Sequence, residues 1–177
     1  MNLNTIWTIG HSSRTFEEFV ELLNAFHIEL LVDVRRHPGS RKFPQFNKDS
    51  LEQSLPKQGI SYRHKESLGG RRKVLPNSKN NAWRLDSFRG YADYMGTEEF
   101  KIALAELEQL AREKRVAYMC SEAVWWSCHR SLISDALKVK GWEVLHIMGL
   151  TNASEHPYTK PANVKNGKLD YKKVEEE

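Results

Sequence analysis

The sequence predicts an α/β protein with a mainly parallel sheet flanked by helices. Short apolar runs typical of buried strands alternate with longer stretches whose apolar residues recur at helical spacing. The first strand, helix and strand form a βαβ pattern, which places the two strands parallel. The Asn166-Gly167 pair is a strong turn signal, so we expect a hairpin or an irregular tail near the C-terminus. The chain has 177 residues and is 40% hydrophobic, which predicts a single domain over residues 1–171 and a frayed tail over residues 172–177.

The first βαβ unit spans residues 5–34. Residues 5–9 and 30–34 read as buried strands. Thr15 and Glu18 between them make a capping-box pattern that fixes the start of a helix. The side chains expected on its buried face are Phe16, Phe19, Val20, Leu22, Leu23 and Phe26.

The middle of the chain is rich in loops. Residues 35–46 form a basic loop without apolar periodicity, after which Asn47 or Asp49 can cap a short helix. Residues 60–64 have the composition of a further strand. Residues 68–81 are again a loop by composition and carry many cations.

The second half of the chain continues the alternation. Residues 88–95 predict a helix, and Thr97 begins a longer amphipathic helix. The side chains expected to face inward on this second helix are Ile102, Ala103, Leu107 and Leu110. A strand over residues 116–120, a helix capped by Ser127 and a strand over residues 143–147 follow.

Residues 120–130 concentrate reactive side chains between a strand and a helix. The segment holds Cys120, Glu122, Cys128, His129 and Arg130. If Ser127 is the N-cap, the last three of these residues fall in the first turn of the helix. Unpaired backbone N–H groups there favour a bound anion and lower the pKa of a thiol.

Polar residues also follow the other predicted strands. Gly10, His11 and Ser12 follow the first strand, Asp33 and Arg35 end the second, and His146 lies in the last. Parallel strands present their carboxyl ends at one edge of the sheet, where open α/β sheets bind ligands. We therefore expect these residues to form one site with the segment 120–130.

The acid and base candidates differ in how clearly the sequence supports them. Asp33 lies in an apolar strand and needs a partner, so a structural ion pair with Arg35 competes with a catalytic role. Glu122 directly follows a strand and is the better general acid or base. The histidines considered for proton transfer are His11, His129 and His146, the last of which is also consistent with simple burial.

The two cysteines allow three interpretations. Seven residues separate Cys120 from Cys128, unlike the usual spacing of structural zinc sites, so zinc bound with His11 or His129 is weakly indicated. Arg130 is also at the wrong spacing for a cysteine-dependent phosphatase loop. A nucleophilic or redox-active thiol and a pair of buried structural thiols both remain open.

The basic loops suggest an anionic partner. The formal net charge is +4 and the sequence pI is about 9.0, which suits nucleic acid, nucleotides or phosphate. The loop cations considered are Arg35, Arg36, Arg41, Lys42, Arg71, Arg72, Lys73 and Arg89, interleaved with Phe43, Phe46, Tyr62 and Trp83. Such a surface can bind successive phosphates of a nucleic acid and stack on its bases. The usual explanation for such runs is that the charged side chains are simply exposed to solvent.

The lengths of the apolar runs and the N-terminal residues predict no membrane association. No apolar run approaches the length of a membrane span, and the N-terminal residues lack the pattern of a signal peptide. We therefore expect a cytoplasmic protein.

Several ordered motifs together resemble the domain of unknown function family 488. The matching segments are residues 8–12, 31–35, 44–47, 68–72, 88–95, 120–130 and 156–157. The resemblance implies a Rossmann-like α/β domain and little about the reaction. Its pattern is carried by His11, Ser12, Asp33, Arg35, Cys120, Glu122, Cys128, His129 and Arg130.

Together these observations predict an enzyme that acts on a phosphate-bearing substrate, such as a nucleotide or a nucleic-acid component. The predicted catalytic residues are Glu122, His129, Cys128, Cys120, His11 and Asp33. The predicted substrate-binding residues are Ser12, Arg35, Arg130, Arg41, Gly69 and Gly70. Metal binding by Cys120, Cys128 and His129 is the weaker alternative, and a non-catalytic nucleic-acid-binding module is the alternative function.

Overall fold

Six strands form the main sheet of the computed structural model, which describes residues 4–174. They are β1 (Thr5–Gly10), β2 (Leu30–Asp33), β3 (Ser61–His64), β4 (Val116–Cys120), β5 (Glu143–Gly149) and β6 (Asn152–Glu155). Across the sheet the order is β3-β2-β4-β1-β5-β6. All neighbouring pairs are parallel except β5 with β6. The predicted fold class is therefore confirmed.

Five α-helices lie within the described residues and cover both faces of the sheet. They are α1 (Phe16–Ala25), α2 (Lys48–Ser54), α3 (Asp86–Tyr94), α4 (Glu98–Glu113) and α5 (Arg130–Val139). Phe19 of α1 and Leu51 of α2 belong to the apolar cluster on one face. Tyr91, Leu104 and Leu132, from α3, α4 and α5, belong to the cluster on the other face. None of the helices in the described part of the chain is long and apolar enough to cross a membrane.

The start of α1 matches its sequence signal, but the predicted buried face of α4 is partly wrong. The Thr15 hydroxyl accepts a hydrogen bond from the Glu18 N–H at 3.1 Å, and the Glu18 carboxylate accepts one from the Thr15 N–H at 3.3 Å, so the capping box is confirmed. Ile102, in contrast, is 57% exposed, and its predicted burial is wrong. The buried stripe of α4 runs through Phe100, Ala103, Leu104, Leu107 and Glu108, and residue 102 falls outside that stripe at 3.6 residues per turn.

A hairpin follows the main sheet near the C-terminus, as the Asn-Gly pair predicts. It consists of β7 (Asn163–Lys165) and β8 (Lys168–Asp170). Asn166 and Gly167 have φ values of 52° and 73°, the left-handed conformation that a two-residue hairpin turn requires. The polar strand β6 had no sequence signal, because it lies at the sheet edge and pairs only with β5.

The predicted tail over residues 172–177 is only partly covered. Residues 172–174 are exposed and follow β8 without regular structure. Residues 175–177 lie outside the described part of the chain. The division at residue 171 therefore stays a prediction.

Candidate functional site

The loops after β1 and β4 meet where the direction of winding across the sheet reverses. β1 and β4 are neighbours, but β1 leads to α1 on one face and β4 leads to α5 on the other. Such a reversal leaves a crevice at the carboxyl ends of the two strands. The His11 N–H donates to the Cys120 carbonyl oxygen at 3.0 Å across this crevice. Only glycine fits at Gly10, because a Cβ there would lie 1.7 Å from the carbonyl oxygen of Glu122.

A cavity of about 710 Å³ opens at this crevice. Eight predicted site residues line it: His11, Ser12, Arg35, Gly70, Cys120, Glu122, Cys128 and His129. Further lining residues include Arg36, His37, Arg71, Phe88 and Ser121. The predicted site residues that do not line it are Asp33, Arg41, Gly69 and Arg130. The structure thus assembles most of the predicted residues, although their chemical roles stay predictions.

The two thiols face each other on one wall of this cavity. The Sγ atoms of Cys120 and Cys128 are 2.7 Å apart, with Cys120 buried and Cys128 half-buried. Burial opposes ionisation of Cys120, but the hydrogen bond from Cys128 and the charge of Arg130 outweigh it and lower the pKa of Cys120 to about 7. Burial, and then the hydrogen bond and charge of Cys120, raise the pKa of Cys128. The pair therefore loses one proton near neutral pH and keeps the other between the two sulfurs.

Arg130 is a buried cation without a carboxylate partner in the described part of the chain. It is 2% exposed, and its Nη2 donates to the Glu122 carbonyl oxygen at 3.2 Å. Its Nε has no hydrogen-bond partner among the described residues. A buried charge is costly unless an opposite charge offsets it. The thiolate of Cys120, whose ionisation Arg130 favours, supplies such a charge.

The start of α5 differs from the sequence prediction. Ser127 ends a short 3₁₀ turn, Trp125–Ser127, and α5 begins at Arg130 with His129 at the N-cap position. Cys128 lies between the turn and the helix in an extended conformation, with φ of −143° and ψ of 172°. The predictions that Ser127 caps the helix and that Cys128 lies in its first turn are therefore wrong. The helix start still contributes, because the Arg130 N–H lowers the pKa of Cys128 against the larger effects that raise it.

The turn before α5 is held by a buried chain of histidines. Trp125 stacks on His146 with ring centroids 4.7 Å apart. His146 Nε2 is 2.8 Å from His156 Nδ1, and His156 Nε2 donates to Asp135 at 2.7 Å. The Thr8 hydroxyl donates to His146 Nδ1 at 2.5 Å. His146 is 1% exposed, and both of its ring nitrogens have partners away from the cavity. Its predicted place at the site is therefore wrong, and the alternative of simple burial is confirmed.

Asp33 is fully buried and holds Arg35 in place. Arg35 donates from Nε to Oδ1 at 2.8 Å and from Nη2 to Oδ2 at 2.7 Å. The Tyr62 hydroxyl also donates to Oδ2, and burial together with the Asp33 charge raises the pKa of Tyr62, so this donor keeps its proton. Arg35 Nη2 further donates to the Phe46 carbonyl oxygen at 2.6 Å. This geometry matches the structural ion pair that the sequence left open.

His11 is engaged at both ring nitrogens. Its Nδ1 donates to the Ser12 carbonyl oxygen at 2.8 Å, which leaves Nε2 to accept from Arg35 Nη1 at 3.3 Å. Burial lowers the pKa of His11 to about 4, so the ring is neutral at pH 7, as this arrangement requires. Ser12 has a left-handed backbone with φ of 50°, a strained conformation that is common at functional sites. His11 is therefore placed to orient Arg35.

His129 lines the cavity, and one of its ring nitrogens has no hydrogen bond among the described residues. Its Nε2 donates to the Val34 carbonyl oxygen at 2.7 Å, so Nδ1 carries the lone pair. Burial lowers the pKa of His129 to about 4, which keeps the ring neutral at pH 7. A Cβ at Gly70 would lie 3.1 Å from this Nδ1. Glycine at position 70 thus leaves the Nδ1 lone pair uncovered.

Glu122 is exposed and lines the cavity. Its carbonyl oxygen holds Arg130. Among the described residues, its carboxylate has no hydrogen bond or ion pair. This carboxylate is therefore free to contact a bound molecule.

The sequence did not single out Arg36 and Arg71 as site residues, although both lie in the basic loops. Arg36 Nη1 donates to the Arg71 carbonyl oxygen at 2.7 Å, which joins the two loops at the cavity. Gly69 has a structural role, because a Cβ there would lie 2.7 Å from Cα of Arg36. Arg41 is exposed and lies away from the cavity lining. Phe88 on α3 also lines the cavity; it begins one of the segments that resemble the family but was not predicted as a site residue.

Three of the four aromatic residues considered for base stacking are packed within the protein, whereas the half-buried Phe43 lines the cavity. Phe46 is buried, with its ring stacked on His11 at 4.5 Å. Tyr62 is bonded to Asp33, and Trp83 stacks on Phe88 at 4.8 Å. The stacking surface considered from the sequence is therefore not assembled by these three side chains.

Within residues 4–174, no group of three or more His, Cys, Asp or Glu side chains is arranged to hold a metal ion. Cys120, Cys128 and His129, the weakly indicated ligands, each have the other contacts described above. The geometry thus gives the zinc interpretation no support.

The family comparison agrees with the resemblance seen in the sequence. A model for the family described as Domain of unknown function DUF488 matches residues 15–137, which includes the cysteines and both arginine-bearing loops but leaves out His11 and Ser12. No significant match was found among curated proteins or among solved structures. Since the family model covers well over half of the chain, the protein belongs to the DUF488 family.

Proposed function

We propose that the protein is an enzyme acting on a small phosphate-bearing substrate, such as a nucleotide, with the Cys120 thiolate as nucleophile. The observation that carries the proposal is the close thiol pair beside the buried Arg130, at the wall of a cavity of about 710 Å³. A thiol pKa of about 7 leaves about half of the pairs ionised at neutral pH. Structural thiols in an apolar core have no such activation.

The other side of the cavity suits a phosphate group. Arg36 and Arg71 lie at its lining, and Arg35 is fixed there by Asp33. Guanidinium groups bind phosphate oxygens through paired, charge-assisted hydrogen bonds. Ser12 and Ser121 add hydroxyl groups to the lining. In this arrangement the phosphate anchors the substrate, and the thiolate attacks an electrophilic atom elsewhere in it.

The proposed reaction forms a covalent intermediate on sulfur. A bond forms between Cys120 Sγ and the electrophilic atom as the bond to the leaving group breaks, and the leaving group departs with that electron pair and is protonated by solvent. Water or another hydroxyl acceptor then attacks the intermediate, which returns the thiolate. His129 Nδ1 or the Glu122 carboxylate takes the proton of this acceptor, since both residues line the cavity and neither group has a partner within residues 4–174.

Phosphate recognition is tested by calorimetric titration of the reduced full chain with inorganic phosphate and with adenosine 5′-monophosphate. We expect binding of at least one probe, and Arg71→Gln should weaken it about tenfold by removing a charge-assisted contact. Arg84→Gln is the matched control, since Arg84 is also an exposed loop arginine but lies outside the cavity lining. No binding of either probe at millimolar concentration, or equal weakening by both substitutions, would refute the phosphate site.

The role of the thiolate is tested by turnover of a panel of nucleotides and sugar phosphates, followed by mass spectrometry. Cys120→Ser should abolish any turnover found with the wild type, because a hydroxyl is not ionised at neutral pH. Glu122→Ala should slow the same reaction by about 10²-fold or more if its carboxylate moves the proton. Wild-type rates in the Cys120→Ser variant would exclude Cys120 as the nucleophile.

A further inference from the structure

The two thiols of the cavity are placed for reversible bond formation with each other. The chain contains two cysteines, and their sulfurs are 2.7 Å apart, less than an ångström beyond the bonded distance of about 2.05 Å. Cys120 ends the central strand β4, while Cys128 lies in the extended link before α5. A small movement of this link is therefore enough to close the bond.

The same pair is open to a small oxidant. Cys120 is 2% exposed but lines the cavity together with the half-buried Cys128. Hydrogen peroxide is small enough to reach such a sulfur from the cavity, whereas a bulky peptide disulfide needs more exposed surface. Peroxide reacts with thiolates rather than thiols, and the buried Arg130 favours the thiolate of Cys120.

We propose that Cys120 and Cys128 form a redox centre in which hydrogen peroxide converts the two thiols into an intramolecular disulfide. In the first step the Cys120 thiolate attacks one peroxide oxygen, an S–O bond forms and the O–O bond breaks. The hydroxide released takes up a proton and becomes water. Cys120 is then a sulfenic acid.

In the second step Cys128 acts as the resolving thiol. Its sulfur attacks Sγ of Cys120, the S–S bond forms and the S–O bond breaks. The second oxygen leaves as water with the proton of the Cys128 thiol. Two electrons pass from the two sulfurs to one peroxide molecule, and an external dithiol returns them by thiol–disulfide exchange.

Oxidation has a consequence for the site that rests on the function proposed above. The disulfide consumes the nucleophile and removes the thiolate charge, so the positive charge of Arg130 loses its anionic partner. The oxidised enzyme should therefore be inactive until a dithiol reduces it. Formation of the disulfide itself does not depend on the identity of the substrate.

The experiment uses the reduced full chain, freed of reductant and treated with one equivalent of hydrogen peroxide at pH 7.5. Free thiols are counted with a chromogenic disulfide reagent, and intact and peptide masses are recorded without reduction. We expect loss of both thiols, a mass lower by two hydrogens, a peptide linking Cys120 to Cys128, and full recovery with dithiothreitol. Gel filtration under the same conditions identifies any disulfide between chains.

The single serine variants distinguish the roles of the two cysteines. Cys128→Ser should react with peroxide but stop at a sulfenic acid that dimedone traps, whereas Cys120→Ser should consume peroxide at least tenfold more slowly. Equal peroxide rates in the wild type and Cys120→Ser, or a sulfinic acid instead of a disulfide in the wild type, would overturn the redox centre.

The proposed function and the redox centre can fail independently of each other. If the oxidised and reduced proteins both fail to bind phosphate or adenosine 5′-monophosphate, the phosphate site is wrong while the disulfide result stands. If the disulfide forms and turnover of an identified substrate is unchanged, the redox centre stands as chemistry, whereas its control of activity and the role of Cys120 as nucleophile are both refuted.

Discussion

At the scale of single residues, the electrostatics of the site depend on one buried arginine. Arg130 has no carboxylate partner in the described part of the chain and leaves its Nε without a hydrogen bond. The positive charge of Arg130 acts on the neighbouring thiols, because it favours the ionised form of both Cys120 and Cys128. A cation that would otherwise be costly to bury thus stabilises a thiolate.

Substitution of Arg130 should change the ionisation of the thiol pair. In Arg130→Met the pH midpoint of alkylation by iodoacetamide should rise by at least one unit, which corresponds to about 1.4 kcal/mol. Arg130→Lys keeps the charge and should stay closer to the wild type, and circular dichroism checks that both variants fold. An unchanged midpoint in folded Arg130→Met would show that the charge of Arg130 does not activate Cys120.

The same thiol should make stability depend on pH. The pKa of Cys120 is about 7 in the folded protein, below its ordinary value of 9.0. Its contribution to stability is therefore present above the unfolded pKa and is lost as pH falls through 7. The raised pKa of Cys128 opposes this gain above about pH 9. Stability should therefore rise with pH between these limits because the unfolded chain holds more protons.

Urea unfolding under reducing conditions measures this effect. Between pH 6.5 and 8.5 the free energy of unfolding of the wild type should increase by about 1–2 kcal/mol more than that of the Cys120→Ser/Cys128→Ser variant. Ionisation of the remaining groups is common to both proteins and cancels in the comparison. A parallel pH dependence of the two would contradict the lowered pKa.

At the scale of elements, α5 joins the site to the C-terminal segment. Its first residue is Arg130, and Asp135 one and a half turns later accepts four hydrogen bonds from the segment that follows β5. The donors are His156 Nε2 at 2.7 Å, the Thr159 N–H at 3.0 Å, the Thr159 hydroxyl at 2.6 Å and the Tyr171 hydroxyl at 2.8 Å. This fully buried carboxylate therefore fixes the C-terminal segment against the helix.

Replacing the central carboxylate should destabilise the protein strongly. In Asp135→Asn an amide N–H₂ would face donors, so we expect a loss of about 2–4 kcal/mol in urea unfolding. Asp170→Asn is the control, since Asp170 lies in the same segment but is partly exposed and accepts from the Lys172 N–H at 3.0 Å. The control substitution should lower the free energy of unfolding by at most about 1 kcal/mol. Equal losses would mean that Asp135 has no special role in holding the segment.

At the scale of the whole molecule, the positive charge is arranged around a concave site. The net charge is only +4, and Arg35, Arg36 and Arg71 meet at the cavity. Of the other loop cations, Arg72 donates to the Gly69 carbonyl oxygen at 3.1 Å and Arg89 to the Trp83 carbonyl oxygen at 2.9 Å, whereas Arg41, Lys42 and Lys73 are exposed. The arginines that line the cavity are placed for the small anion of the proposed function, and the exposed loop cations leave the nucleic-acid alternative to be tested.

Salt dependence distinguishes a small ligand from a nucleic acid. We expect the affinity for adenosine 5′-monophosphate to fall less than tenfold between 50 and 200 mM salt, whereas about six or more backbone contacts would cost about 10³-fold. Fluorescence anisotropy with labelled single-stranded DNA and RNA provides the comparison at the same salt concentrations. Tight oligonucleotide binding that weakens steeply with salt would favour the nucleic-acid-binding module instead.

The sequence by itself determined the fold class, most of its elements and the edge of the sheet where polar residues gather. Apolar spacing defines strands and helices locally, so β1 to β5 and all five helices follow from short windows of sequence. The capping box at Thr15 and the turn at Asn166-Gly167 are equally local. The rule that ligands bind at the carboxyl ends of parallel strands then placed Cys120 and His11 at one edge.

Only the tertiary structure decided how that edge is assembled. The start of α5 depends on Trp125 stacking on His146, and the state of Cys120 depends on Cys128 and Arg130. These contacts form only when the chain folds back on itself. Their energies come from burial and charge, which the spacing of apolar residues does not show. The sequence could therefore place the candidate residues at one edge of the sheet, while only the folded molecule shows that the two thiols lie beside a buried guanidinium.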